Sequence, residues 1–355
     1  MEDEKFEINE TNEIAAETAN EPAEVRADIL DEADGVIVEE EADEVIVRRT
    51  GLRLQDHLVL NEKDGVVYLT FPKMEEAGAE LVHAFSTRVG GVSTGYLGTM
   101  NLSLSSERTF QETITAVSGL KETDPESTFL TNHRRLADAI GYRSDQLVFT
   151  AQTHTANVRR VGKADCGNGI LRPNAFHDVD GLMTDERGVA LMTFCADCLP
   201  LLLYDPEHHA IAACHSGRAG TMLDIGGAAV RAMHEAYGSR PEALITAIGP
   251  SICPACYEVG ADVAEEFRSH WNGTDSEKAE VCTADESGKF HLDLQRAAQL
   301  NFLHAGVTEE HTSLPDLCTS CNPAFLFSHR ASHGQRGSLA GVIMLRGEDG
   351  DDSGI

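Results

Sequence analysis

The stretch that most limits what this chain can fold into is residues 189–222, VALMTFCADCLPLLLYDPEHHAIAACHSGRAGTM. Residues 189–194 and 199–204 are apolar runs too short for helices and rich in branched or aromatic side chains, so they read as buried strands. Residues 210–214 form a third such run after the Asp205-Pro206 turn signal. Chemistry collects at the ends of these runs. Cys195-Ala196-Asp197-Cys198 sits at a strand junction, and the third run delivers His215 just before Ser216-Gly217-Arg218-Ala219-Gly220. Glycine-rich turns after strand ends let backbone approach a ligand while the strands hold the side chains still. His154, in Ala151-Gln152-Thr153-His154, follows the apolar run 147–149 in the same way. A single buried cysteine is ordinarily core, and a single strand-end histidine is ordinarily a satisfied polar group. Two imidazoles and a thiolate together are a borderline-soft donor set for zinc or copper, and three protein ligands leave a fourth position open, as in a catalytic site.

The rest of the chain supplies more strands and helices. Residues 53–69 suggest a first strand or hairpin turning at Lys63-Asp64-Gly65, and residues 81–86 the next strand. That strand feeds the loop Arg88-Val89-Gly90-Gly91-Val92-Ser93-Thr94-Gly95, whose glycines offer backbone N–H groups to an anion. Residues 132–141 read as a helix opening on polar capping residues and ending at Gly141, with its basic residues on solvated surface. A helix over 223–237 follows the His215 turn, its N-terminus directed at the site, where phosphate would find free N–H groups. A strand at 244–248 comes next, then a helix carrying Val259, Val263 and Phe267 and another capped by Asp293. Residues 324–327 and 339–345 read as closing strands. The expected class is α+β: a mixed β-sheet covered by helices in a layered α/β/α arrangement, one catalytic domain over 51–347.

Charge is lopsided. The chain carries a formal −31, and residues 1–47 hold 18 acidic residues against only Lys5 and Arg26. Such a segment buries too little apolar surface to offset chain entropy, so residues 1–50 are read as a disordered acidic arm and 348–355 as a disordered tail. The remainder, still about −15, argues against a nucleic-acid partner, and no apolar run approaches membrane-spanning length. Nine cysteines without an export signal fit free thiols in the cytoplasm. Six of them form three CxxC pairs, at Cys195/Cys198, Cys253/Cys256 and Cys318/Cys321. The last two pairs could make a tetrathiolate zinc site stabilising a non-enzymatic binding module, although the roughly 60 residues between them exceed the insert of a zinc ribbon.

Several motifs then recur in a known order: FSTRVGGVSTGYLGTMNLS, AQTHTANV, DGLMTD, CADCLPLLLYD, HSGRAGT, IGPSICPACYEVG and CTSCNPAFLFSHR. From about residue 85 to 345 the chain closely resembles the laccase-like multicopper polyphenol oxidase family, whose members have been reassigned as zinc-dependent purine nucleoside phosphorylases, some being called peptidoglycan editing factors. The resemblance implies zinc on His154, Cys198 and His215, and phosphorolysis of adenosine, inosine, guanosine and methylthioadenosine with accompanying adenosine deamination. Asp197 and Cys198 are then the catalytic candidates, Asp197 as base or orienting carboxylate. Arg88, Gln152, Arg218 and Arg330 are the candidates for binding purine nucleoside and phosphate. A copper-dependent polyphenol oxidase and a hydrolase editing peptidoglycan precursors are the alternatives. The chain departs from the family at its usual HAGWRG, which here reads His215-Ser216-Gly217-Arg218-Ala219-Gly220, without the tryptophan and with the arginine one residue early. Because the arm is acidic and poor in apolar residues, a chain beginning at Arg53 is expected to keep full activity and thermal stability; a loss of either on truncation would show that the arm docks.

Overall fold

The computed structural model describes residues 58–118 and 124–347; the acidic arm, the C-terminal tail and the first residues of the expected hairpin lie outside the described residues. In chain order the strands are β1 (Val59–Lys63), β2 (Val66–Thr70), β3 (Leu81–Ser86), β4 (Leu147–Val148), β5 (Val158–Arg160), β6 (Gly181–Thr184), β7 (Ala190–Cys195), β8 (Leu199–Asp205), β9 (Ala210–Ser216), β10 (Ile245–Ile248), β11 (Glu258–Val259), β12 (Cys282–Ala284), β13 (Phe290–Leu292), β14 (Thr312–Ser313) and β15 (Leu339–Leu345). The helices are α1 (Pro72–Glu76), α2 (Leu104–Ser118), α3 (Pro125–Ile140), α4 (Arg218–Met222), α5 (Ile225–Tyr237), α6 (Ala261–His270), α7 (Asp275–Val281) and α8 (Leu294–His304).

These make one α+β domain of the expected mixed-sheet kind, with finer layering than the sequence conveys. One six-stranded sheet runs β1-β2-β3-β15-β7-β4 and a second runs β14-β10-β8-β9-β6-β5, with a small β11-β13-β12 sheet beside them. Pairing is antiparallel except at the outer pairs β4 with β7, β5 with β6 and β10 with β14. The two large sheets pack face to face around Phe85, Leu191, Leu202, Tyr204, Ile211, Ala213 and Ile343. Helix α3 covers the outer face of the first sheet through Phe129, Leu136 and Ala137, and α5, α6 and α8 cover the second through Ile225, Met233, Phe267 and Phe302. Strand β8 shows why the apolar runs are continuous: Leu202 and Tyr204 enter the core between the sheets while Leu201 and Leu203 face the helices. A strand buried on both faces has no polar side to alternate with.

Local structure departs from the sequence reading in four places. Helix α3 starts at Pro125, so Asn132 and His133 do not cap it; both are fully buried, and Arg135 bonds the carbonyls of Gly90 and Asp64. The turn after His215 is itself a short helix, α4, and Asp224 in the left-handed region breaks the chain before α5. The Asp224 carboxylate accepts from Gly227 N, so the N-terminus of α5 is closed by its own cap. Residues 324–327 turn rather than extend, because Phe325 and Leu326 donate to the Asn322 carbonyl while their side chains fill the core. Val259 belongs to β11, ahead of α6. The first hairpin is as expected: Asp64 and Gly65 both have positive φ, 54° and 75°, as a two-residue turn matched to strand twist requires.

Glu80, just before β3, ties the sheets together. Its carboxylate accepts from Tyr204 Oη on β8 and His209 Nδ1 in the β8–β9 turn, both at 2.7 Å, and pairs with Arg187 before β7. The hydrogen bond from Tyr204 is the main reason this carboxyl falls from 4.5 to about 2, assisted by Arg187 and His209. A carboxyl depressed in the folded state stabilises above its ordinary pKa and loses that contribution as pH falls through the folded one. Glu80→Gln is therefore expected to lower thermal stability at pH 7, with the deficit shrinking between about pH 4.5 and 2; a deficit independent of pH over that window would contradict it.

Candidate metal centre

The chain brings three donors to one point from three strand ends. His154 comes from the loop after β4, Cys198 from the junction of β7 and β8, and His215 from the end of β9; one ligand atom of each lies within 4.8 Å of the others. Register explains part of this, since Pro200 on β8 pairs with His215 on β9, setting the β8 entry beside the β9 exit. Burial is graded: His215 is buried, Cys198 half-buried and His154 exposed, so the group opens to solvent on the His154 side. Gly217 packs directly against the donors, where a Cβ would stand 2.7 Å from His154 Cδ2 and 3.1 Å from Cys198 Sγ. Only glycine fits there without displacing two of the donors.

Asp180, immediately before β6, holds the arrangement. It is 2 % exposed. Its Oδ1 accepts from His215 Nδ1 at 2.9 Å and His154 N at 3.0 Å, and its Oδ2 accepts from Thr153 N, Thr155 N and Thr155 Oγ1 at 3.1, 2.8 and 2.9 Å. A histidine that gives its Nδ1 proton to a carboxylate presents Nε2 as the free donor atom, the arrangement found behind metal-ligating histidines. Burial would raise the Asp180 carboxyl, but the hydrogen bonds from His215, Thr155 and His154 outweigh it and hold it well below the usual range. Burial would likewise raise the Cys198 thiol, yet hydrogen bonding to His154 and His215 brings it down to about 6. Burial would lower His215, and its bonds to Asp180 and Cys198 raise it to about 9. A bound cation would compete with protons for the Cys198 and His215 donor atoms. Cys195, the other half of this CxxC, stays in the core, where burial pushes its thiol far up.

The remaining candidates from the sequence are dispersed around this point. Asp197 has φ 89°, and its carboxylate is not free: Oδ1 accepts from Thr319 Oγ1 at 2.6 Å and Oδ2 from Arg330 N at 2.7 Å. Both of its oxygens are thus already engaged by the segment around Thr319 and Arg330. Gln152 doubles as a backbone surrogate, its amide exchanging hydrogen bonds of 2.8 and 2.7 Å with Phe194 O and N. Arg88 donates to the carbonyls of Gly98, Pro323 and Tyr96 and lies over the Phe327 ring, clamping two loops. The glycine-rich loop beside it is not an anion cradle, because the Gly90 and Gly91 amides donate to Thr99 Oγ1 and the Val92 amide to Asn132 Oδ1. Arg330 reaches the carbonyls of Cys256 and Glu258 and stacks over Tyr257. Arg218, the first residue of α4, pairs with Glu266 on α6. A cleft of about 230 Å³ adjoins Gln152, walled by Phe129, Phe149 and Phe194.

Sequence reasoning passed over Asp180, Gly217 and Tyr257. The available signal for Asp180 was a carboxylate directly ahead of the buried run of β6, a position that only a paired acid occupies. Asp180→Asn, which replaces an acceptor-only carboxylate by an amide, is expected to weaken metal binding at this group about 10- to 100-fold in competitive chelator titrations while leaving the sheets intact. Unchanged affinity would contradict this.

Residues 82–346 match the family profile described as multi-copper polyphenol oxidoreductase laccase. The chain is 33 % identical over 273 residues to the purine nucleoside phosphorylase YlmD of Geobacillus stearothermophilus, covering 77 % of this chain and 92 % of that one. It is 32 % identical over 197 residues to the adenosine deaminase RL5 from an unknown prokaryotic organism, covering 55 % of this chain and 73 % of that one. The crystal structure of YlmD from Geobacillus stearothermophilus superposes with a TM-score of 0.70 at 30 % identity, covering 82 % of this chain and all of that one. Because the match takes in well over half of the chain and all three donor segments, the chain belongs to the multi-copper polyphenol oxidoreductase laccase family.

Proposed function

We propose that this protein is a zinc-dependent purine nucleoside phosphorylase with adenosine deaminase activity. The observation that carries the reading is the His154, Cys198 and His215 group braced by Asp180: two imidazoles, one thiolate and an open side, in a chain whose relatives include named purine nucleoside phosphorylases and an adenosine deaminase. The donor chemistry fits a zinc ion, with His154, Cys198 and His215 holding it. When bound there, zinc supplies Lewis-acid polarisation and a more acidic water.

The chain's own residues divide the remaining tasks. Asp180 keeps His215 in the tautomer whose Nε2 faces the cluster and fixes the backbone of 153–155 so that His154 enters from the solvent side. Asp197, pinned by Thr319 and the Arg330 amide, sets the direction in which Cys198 leaves the chain. The cleft beside Gln152, with Phe129, Phe149 and Phe194 among its walls, is an apolar recess of the kind a flat purine enters. Tyr257 carries the Arg330 guanidinium over its ring, and burial raises its phenol, which stays protonated at neutral pH. Arg218 is the cation best placed to meet phosphate, because its pair with Glu266 is partly exposed and such pairs are worth only about 0–1 kcal/mol. Phenol oxidation of the laccase kind needs several copper ions on many histidines, whereas only one possible ligand group among the described residues contains two.

Incubation of the purified protein with adenosine and phosphate is expected to yield adenine with ribose 1-phosphate, and inosine from deamination. His154→Ala or His215→Ala is expected to remove both activities together with the zinc held by the His154, Cys198 and His215 group; folded variants that keep activity and an unchanged zinc content would sink the assignment. Arg218→Ala is expected to raise the KM for phosphate strongly without altering zinc content, while deamination, which uses no phosphate, persists. Glu266→Gln releases Arg218 and is expected to lower that KM; a phosphate KM unmoved by either change would shift the contact away from Arg218.

A further inference from the structure

The two CxxC pairs that the sequence leaves about 60 residues apart meet in space. Cys253, Cys256, Cys318 and Cys321 place their sulfur atoms all within 4.8 Å of one another, with Cys256 Sγ and Cys321 Sγ 3.5 Å apart. Four thiolates around zinc at about 2.3 Å stand about 3.8 Å from one another, whereas a disulfide needs about 2.05 Å. The spacing therefore matches an ion between the sulfurs and not a bond. Each pair also has the turn expected of a metal knuckle. Cys256 N and Tyr257 N both return to the Cys253 carbonyl, Asn322 Nδ2 bonds the Cys318 carbonyl, and Cys253 N donates to Cys318 Sγ at 3.2 Å. The parallel bridge between Ser251 and Cys318 aligns the two knuckles before any side chain is considered.

We propose that these four cysteines form a second metal site, a tetrathiolate zinc centre that is structural. Two of its ligands, Cys253 and Cys318, are buried and the other two half-buried, and four protein ligands leave no position for substrate. Its place in the fold gives it a task. It staples the segment after β10 to the segment before β15, and the residues bordering the staple reach the first site: Thr319 holds Asp197 Oδ1, Ile252 N bonds the Asp197 carbonyl, and Arg330 grips the Cys256 carbonyl while its own amide holds Asp197 Oδ2. The backbone bridge and hydrogen bonds that already join the two segments leave the four sulfurs gathered beside Ile252 and Tyr257, ready to close on one ion. The inference stands on this geometry and not on the catalytic assignment above.

Zinc content of the full-length chain, purified under reducing conditions and measured by native mass spectrometry with elemental analysis, tests it. The His154→Ala/His215→Ala variant, which leaves the four cysteines untouched, is expected to retain one zinc per chain. Its absence there overturns the proposal. Cys256→Ser/Cys321→Ser is expected to lose one zinc relative to the wild type, a difference that does not depend on whether the first site is filled; undiminished zinc in that variant also overturns it. Should the cysteine variant fail to fold, the histidine variant decides: cobalt exchanged into the His154→Ala/His215→Ala protein is expected to give strong sulfur-to-metal charge-transfer absorption, and an intact mass reporting disulfides among these cysteines is the opposing result.

Discussion

A single buried carboxylate, Asp180, carries the geometry on which the rest of the site depends. It lies almost wholly out of water with five hydrogen bonds, two of them to the residues that bring His154 and His215 together. An uncompensated charge in such a place costs about 3–5 kcal/mol, so the loop 153–155 and the end of β9 are drawn to Asp180 whether or not an ion is present. The donors are thus preorganised by a carboxylate from a neighbouring strand. An ion would find them set, and little folding energy would need to be spent on gathering them.

The sheets make that preorganisation possible by stacking two buried layers with their strand ends at a common edge. Pro200 marks the critical crossing. It stands at the second position of β8, where its missing N–H is tolerated, and two glycines make room for it: a Cβ at Gly249 would fall 2.5 Å from Pro200 Cγ, and one at Gly341 3.0 Å from Pro200 Cβ. With bulk on neither side, β8 passes close to both β10 and the facing sheet, and Cys198 emerges beside His215. Gly217 repeats the device where the chain leaves β9 against the His154 ring and the Cys198 sulfur.

Much of this was legible. The strands β7, β8 and β9 were readable because burial on both faces leaves an uninterrupted apolar run, and the donors were readable because they stand immediately past those runs. What stayed hidden was any relationship made by tertiary contact alone. Asp180 looks like an ordinary acid before a strand until His215, 35 positions on, is seen against it. The glycine-rich loop near Arg88 suggested open amides because sequence does not reveal that Thr99 and Asn132 would fill them. Helix α3 was begun too late because Asn132 and His133, capping types by composition, are buried in mid-helix by partners on another loop. The distance between the cysteine pairs along the chain concealed how near the bridge between Ser251 and Cys318 would bring them.

The backbone at Asp197 connects these features in one chain of cause. A non-glycine residue at φ 89° stores about 1–3 kcal/mol of strain, which persists only where the surroundings over-determine it. Here they do: Asp197 is held at its carbonyl by Ile252 and at both carboxylate oxygens by Thr319 and Arg330. That conformation turns Cys198 out of the β7 line and toward the two histidines, leaving Cys195 in the core. The residues imposing it lie 55 to 133 positions away, on segments that belong to neither β7 nor β8. The direction of the one thiolate among the three donors is therefore decided by the C-terminal third of the chain, and the segment from Cys318 to Arg330 is as much a part of the site as the strands that carry the donors.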